Sequence, residues 1–145
     1  MQVSEIMTKD VKLADPGSVL RDVVNWMRAE NVGAFPVGEG DRLAGMITDR
    51  DIAVRGVGAE RPAENMTVRS AMSEDVYYCF ADEDLGAAGE KMANHQVHRL
   101  PVLNRDKRLV GIVALADLAR AGEEGKDAAI AAISGIADPT MVARR

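Results

Sequence analysis

The sequence predicts an α+β fold made of two tandem copies of one strand–helix–strand–strand–helix unit. Three observations carry that prediction. The chain matches itself in order: Met7 and Met72 stand 65 positions apart, and the same shift pairs Val3/Val68, Asp10/Asp75, Val11/Val76, Leu20/Leu85, Met27/Met92, Val32/Val97, Pro36/Pro101, Val37/Val102 and Asp41/Asp106. One residue inserted in the second turn makes the shift 66, which then pairs Leu43/Leu109, Gly45/Gly111, Asp51/Asp117 and Ala53/Ala119. Matches that keep their order over so many positions mark an internal duplication. Within each copy, helical spacing gives way to short apolar runs separated by Gly and Asp turns.

In chain order, Val3 to Met7 is a short lead-in and Val11 to Leu13 a brief extended segment. Asp15-Pro16-Gly17-Ser18 is a turn that ends on an N-cap candidate, Ser18. Leu20, Val23, Val24 and Met27 recur at helical spacing until Asn31 and Gly33 stop the helix. Trp26 falls between those core positions, and an exposed Trp there would indicate a helix-mediated dimer face. Ala34 to Val37 is a short strand whose Pro36 suits a strand end or edge, Gly38 to Asp41 turns, and Leu43 to Ile47 returns antiparallel. Asp49 to Arg55 is a helix with Thr48 as its candidate N-cap. The order then repeats. The expected domains are a first repeat at 3–57, a linker at 58–67, a second repeat at 68–121, and a C-terminal helix and tail at 122–145. One copy offers about three short strands and two helices, too little for independent stability, so the copies should pack about a pseudo-twofold axis. In the helix from Asp127 to Ile136, Ile130, Ile133 and Ala137 are expected to face the pair.

Composition bounds the function. With 145 residues, 47% of them apolar, the chain can build a core without disulfides or metal, and the single Cys79 cannot form an internal bridge. A formal charge of −5 argues against nucleic acid or an anionic membrane as main partner. No apolar run approaches the roughly 20 residues that span a bilayer, and no basic-then-apolar leader opens the sequence, so a cytoplasmic location is expected. Cys79, His95 and His98 lack metal-ligand spacing, and no orienting group accompanies a Cys–His pair, so neither a metal site nor an enzyme is expected.

The paired Phe35-Pro36-Val37 … Gly45-Met46-Ile47-Thr48-Asp49-Arg50-Asp51 and Leu100-Pro101-Val102 … Gly111-Ile112-Val113-Ala114-Leu115-Ala116-Asp117 resemble tandem CBS (cystathionine beta-synthase) domains, a Bateman module. The resemblance runs from Val3 to about Arg120. It implies a disc-like fold with two clefts between the repeats, adenosine nucleotides (AMP, ADP, ATP or S-adenosylmethionine) as ligands, a homodimer, and regulation of a partner protein. It further implies that Asp51 accepts from ribose hydroxyls, a task suited to a group that offers only acceptors at neutral pH. Thr48 would donate to ribose or phosphate and Arg50 would neutralise phosphate. The opposite repeat would add His98 and Arg99, with Met72, Tyr77 and Val97 lining the adenine side. The second cleft is expected to be weaker, because Ala114 and Ala116 replace Thr48 and Arg50 and leave Asp117, with Lys12 as the nearest base. No cofactor is required; the nucleotide is a regulatory ligand. Two plainer possibilities stand beside this. Thr48 and Asp51 serve only to cap a helix, or the protein is a ligand-free stress-response dimerisation module whose clefts are vestigial.

Overall fold

A computed structural model of the chain describes residues 1–58 and 65–142. The expected linker therefore lies mostly outside the described residues, as do the last three positions of the tail. The protein is composed of two similar repeats forming an α+β fold, and its backbone divides into two compact units. The central unit is Lys12–Val76; the terminal unit joins Met1–Val11 to Tyr77–Arg145. Among the described residues, no helix is long and apolar enough to cross a membrane.

In the central unit, helix α1 (Leu20–Glu30) precedes an antiparallel hairpin of β1 (Ala34–Glu39) and β2 (Arg42–Thr48). One turn, α2 (Asp49–Asp51), follows and continues as a π-type stretch over Ile52–Val57. The short helix α3 (Val68–Ala71) completes this unit. In the terminal unit, β3 (Cys79–Phe80), helix α4 (Leu85–His95), the hairpin of β4 (Arg99–Leu103) and β5 (Leu109–Ala114) and helix α5 (Leu115–Ala119) repeat the pattern. Helices α6 (Gly122–Ile136) and α7 (Pro139–Val142) follow.

The first strand of each copy is shorter than expected. In the central unit it shrinks to a single parallel bridge, Ala14 to Val37, rather than an extended run over Val11 to Leu13. Its counterpart is the Cys79 to Val102 pairing in the terminal unit. Pro36 is tolerated within β1 because its carbonyl, not an N–H, meets Ala14, at 2.9 Å. The hairpins turn antiparallel as expected, each with a bulge after the Val37 or Val102 position.

Helix α1 begins differently from the expectation. Its N-cap is Val19, not Ser18, and no side chain caps it. The first N–H groups of a helix need partners from outside the helix, and here a backbone supplies one: Leu20 N–H donates to the Met66 carbonyl at 2.9 Å. Val68 and Arg69 N–H in turn donate to the Ser18 and Pro16 carbonyls at 2.8 and 2.9 Å. The terminal unit repeats this set one shift along. Leu85 N–H meets the Met1 carbonyl at 3.3 Å, and Val3 and Ser4 N–H meet the Glu83 and Ala81 carbonyls, both at 2.9 Å. The lead-in of each sequence copy thus packs in the unit formed mainly by the other copy. Both helices end on a left-handed residue, Asn31 (φ 53°) and Gln96 (φ 52°).

The same exchange closes the free edge of each hairpin. Ser73 and Met46 exchange two backbone hydrogen bonds of 2.8 and 3.0 Å, and Thr8 and Ile112 exchange two of 2.8 and 2.9 Å. The approach needs a strand residue without a side chain. A Cβ on Gly45 would lie 2.6 Å from the Ser73 carbonyl and 3.1 Å from Met72 Sδ. A Cβ on Gly111 would lie 2.7 Å from both the Thr8 carbonyl and Met7 Sδ.

Each unit has its own core. Leu20, Val23, Val37, Ile47, Val68 and Met72 are buried together in the central unit, and Val3, Cys79, Leu85, Met92, Leu100 and Leu118 in the terminal one. Trp26 is half-buried, edge-on to Phe35 at 5.9 Å with Lys12 Nζ over its ring, so it is absorbed within its own unit. Helix α6 reverses the expected face. Gly125, Ala128, Ala129 and Ala132 are its buried residues, whereas Ile130 and Ile133 are 63% and 50% exposed. The reason is close helix contact: the Ala128 carbonyl stands 2.5 Å from where a Gly89 Cβ would be, and Gly135 abuts Ala93. Only small residues permit that approach. Gln96 Nε2 then donates to the Gly135, Ile136 and Asp138 carbonyls at the end of α6.

Gly45→Ala and Gly111→Ala should each lower stability by about 1–3 kcal/mol, the range for forcing a methylene into a packed site. Gly86→Ala, where nothing lies within 4 Å of the new methyl, should raise it by up to about 1 kcal/mol through helix propensity. Urea denaturation of the three variants checks both signs.

Candidate functional site

The candidate site residues fall into two sets, one in each unit. Thr48, Arg50, Asp51 and Met72 belong to the central unit; Tyr77, Val97, His98 and Arg99 belong to the terminal unit. Lys12 and Asp117, expected to share the weaker cleft, likewise lie in the central and terminal units respectively.

Thr48 and Asp51 form a reciprocal capping box where β2 runs into α2. Thr48 Oγ1 accepts from Asp51 N–H at 3.1 Å, and Asp51 Oδ2 accepts from Thr48 N–H at 3.0 Å. The helix start is held from its other side by Asp49 N–H, which donates to the Gly33 carbonyl at 2.9 Å. The Asp51 carboxylate is thereby fixed without being used up, and a charged group stands exposed beside it. Asp51 Oδ1 meets no donor among the described residues, and the Arg50 guanidinium is exposed and unpaired among them. Met72 is 6% exposed, with its sulfur beside Gly45, so its position is set by packing.

The equivalent junction in the terminal unit has the same backbone and different chemistry. Leu115 N–H donates to the His98 carbonyl at 2.9 Å, matching Asp49 and Gly33. Asp117 Oδ2 accepts from Ala114 N–H at 2.8 Å, but Ala114 has no hydroxyl to return the bond. The other oxygen, Oδ1, is occupied by Arg120 Nη2 at 3.3 Å. His98 and Arg99 lie exposed at the start of β4, where Arg99 pairs in register with Ala114. Val97 is half-buried at the helix exit, its N–H on the Met92 carbonyl at 3.1 Å. Tyr77 is 43% exposed and stacks on His95, with ring centroids 3.7 Å apart and planes 8° from parallel. Lys12 is engaged elsewhere in its own unit, paired with Glu30 at 3.2 Å and set over the Trp26 ring.

Two contacts at these junctions escaped the sequence reading. The Asp49 carboxylate lies against Gly33, 2.8 Å from where a Cβ would be, so a side chain at that strand entry would make it shift. The other is Arg120, whose three-residue spacing from Asp117 was a helical signal available in the sequence. Elsewhere, no cluster of three or more His, Cys, Asp or Glu side chains able to hold a metal occurs among the described residues. Cys79 is fully buried, and burial pushes its thiol up to about 12.

A family model described as "CBS domain" matches residues 3–57 and 68–124. The chain is 39% identical over 117 residues to the CBS domain-containing protein YhcV of Bacillus subtilis, a match that covers 81% of this chain and 82% of that one. It is 37% identical over 117 residues to Hypoxic response protein 1 of Mycobacterium tuberculosis, covering 80% and 81%. A crystal structure of Hypoxic Response Protein I with two coordinated zinc ions superimposes with a TM-score of 0.77 at 35% identity, covering 83% of this chain and 98% of that one. The structure of CBSX2 in complex with AMP shares the fold, with a TM-score of 0.75 at 20% identity over 86% and 98% of the two chains.

The Cys79 environment predicts an alkaline effect. The folded thiol titrates near 12, above its ordinary value of 9, so the unfolded chain gives up its proton first. The thiol's contribution to stability is therefore complete below about pH 9 and is lost as pH rises toward 12, with a slope of at most about 1.4 kcal/mol per pH unit. Urea denaturation across that window should show a steeper decline for the natural chain than for Cys79→Ala, the residue carried by the equivalent position, Ala14.

Proposed function

The chain belongs to the CBS-domain family, and on that premise we propose that it is a regulatory module that binds an adenosine nucleotide, of the AMP, ADP or ATP class, as a homodimer, and signals its occupancy to a partner protein. CBS-domain proteins are generally non-catalytic regulatory modules. The observation that carries the ligand reading is the open Oδ1 of Asp51, held in place by a capping box that uses only the other oxygen. A fixed, charged acceptor suits a ribose diol, because its orientation is already set before the ligand arrives. Arg50 would meet phosphate, and Thr48 would orient the acid. His98, Arg99, Tyr77, Val97 and Met72 are the residues proposed to complete the site. The AMP complex of CBSX2 lends support at the level of fold.

The weaker standing proposed for the second site follows from the same chemistry. Asp117 shares one oxygen with Arg120 and the other with a backbone N–H, and Lys12 is tied to Glu30. A ligand there would have to displace an ion pair. Zinc, present in the Hypoxic Response Protein I structure, is not carried over. Cys79 is a poor thiolate source at neutral pH, and no three ligand-type side chains converge among the described residues. The reading of a ligand-free dimerisation protein draws on one observation, the complete capping box, which gives Thr48 and Asp51 a structural role of their own.

Isothermal titration with AMP and ATP should show one dominant site per chain. Asp51→Ala should weaken it roughly ten- to hundredfold, since a hydrogen bond to a charged group contributes about 1.5–3 kcal/mol. Asp117→Ala removes the corresponding acid from the other helix start and should change affinity less than twofold. Two equal sites, no binding of any adenosine nucleotide, or equal effects of the two variants would overturn the reading.

A further inference from the structure

The duplication predicts a second helix-docking surface, on which the described residues of the central unit seat no helix. In the terminal unit, α6 lies against α4 and α5, meeting Gly89 and Ala93 on α4 and the Leu118 carbonyl on α5. Shifted back by 65 or 66 positions, those three are Val24, Arg28 and Ile52 of the central unit. All three line a groove of about 380 Å³ whose other walls include Leu20, Arg21 and Val57. The central unit thus keeps the surface on which its twin seats a helix, with larger side chains. A helix faced with Gly and Ala fits Gly89 and Ala93; Val24 and Arg28 hold a helix further away and require longer side chains to fill the gap.

The chain carries such a helix face. Ile130 and Ile133 are exposed on the side of α6 turned away from α4, flanked by Asp127, which meets no cation among the described residues. Arg28, at the groove, meets no anion among them. One surface is concave, apolar and edged with arginine; the other is convex, apolar and flanked by a carboxylate. We propose that the Ile130–Ile133 face of α6 docks into the Leu20–Val24–Ile52–Val57 groove of a second copy of this chain, the exchange being reciprocal in a homodimer. Reciprocity closes the assembly with two identical contacts rather than an open chain. The inference rests on the homodimer part of the proposed function and supplies its interface.

Sedimentation velocity on the full chain, over a range of concentrations, tests it. The natural chain should sediment as a dimer. The Ile130→Asp/Ile133→Asp double variant and, separately, Arg28→Glu should each raise the dissociation constant at least tenfold while leaving the far-ultraviolet circular dichroism unchanged, since all three side chains are exposed. Val24→Asp is the more severe groove variant. Mixing the double variant with Arg28→Glu should restore association, because each mixed pair keeps one undamaged contact. A natural dimer that ignores all these changes, or variants that fail to re-associate on mixing, would overturn the proposed surface and leave the dimer reading intact. A natural chain that is monomeric throughout would overturn both. Nucleotide titration of the same variants separates either outcome from a failure of ligand binding.

Discussion

Everything in this fold depends on the close approach of a backbone carbonyl to a glycine in the middle of a strand, made twice. The carbonyls of Ser73 and Thr8 close the edges of β2 and β5 only because Gly45 and Gly111 carry no side chain. Each closing residue comes from the other sequence copy, and so do the groups that satisfy the first N–H of α1 and α4. A copy without its twin would leave a hairpin edge unpaired and a helix start unsatisfied, two conditions that proteins otherwise meet with caps, charges or added strands. The duplication is therefore an obligate structural pair. Beads joined by a tether would show neither the reciprocal hydrogen bonds nor the paired glycines.

That constraint also fixes the candidate site. Once β2 is paired on both sides, the direction in which it leaves the sheet is set, and the Asp49 N–H to Gly33 carbonyl bond pins the next residue. The capping box follows within a single turn. Thr48 and Asp51 consequently reach their positions through backbone contacts that are equally present at Ala114 and Asp117. What separates the two junctions is side-chain chemistry alone: a hydroxyl against a methyl, and an open carboxylate oxygen against one held by Arg120.

Much of this was legible in the sequence, for physical reasons that also explain the misses. Hairpin turns, the helix stop at Asn31 and the Thr48 cap are local events, decided by a few neighbouring residues and therefore legible in them. The helix start at Val19 is not legible locally, because its partner, Met66, lies far along the chain, where local capping preferences carry no information. The buried face of α6 is the reverse of the expected one for a related reason. Apolar size points to Ile130 and Ile133, but the docking surface is made of Gly89 and Ala93, and such a surface selects small residues for close approach. At the candidate site, the Thr48–Asp51 pair was visible as spacing. The engagement of Asp117 by Arg120 and the fit of Asp49 against Gly33 depend on side-chain directions that spacing does not give.

The two copies offer an internal comparison that separates structural demands from other demands. Positions that remain the same, Met7/Met72 and Gly45/Gly111, sit where the exchanged backbones meet, and each has a steric reason that applies equally in both units. Positions that differ fall into two groups: the strand–helix junction, where Thr48 and Gly33 oppose Ala114 and His98, and the helix face, where Val24 and Arg28 oppose Gly89 and Ala93. Some of these differences have a reason inside the unit: Gly33 leaves room for the Asp49 carboxylate, and Thr48 caps its own helix start. On the helix face, one difference is already accounted for, because Gly89 and Ala93 are the residues that admit α6. The exposed Arg50, which opposes Ala116, and the central-unit groove then remain as places where the copies differ with no partner among the described residues to account for it, which is where contact with something outside the repeat has to be sought.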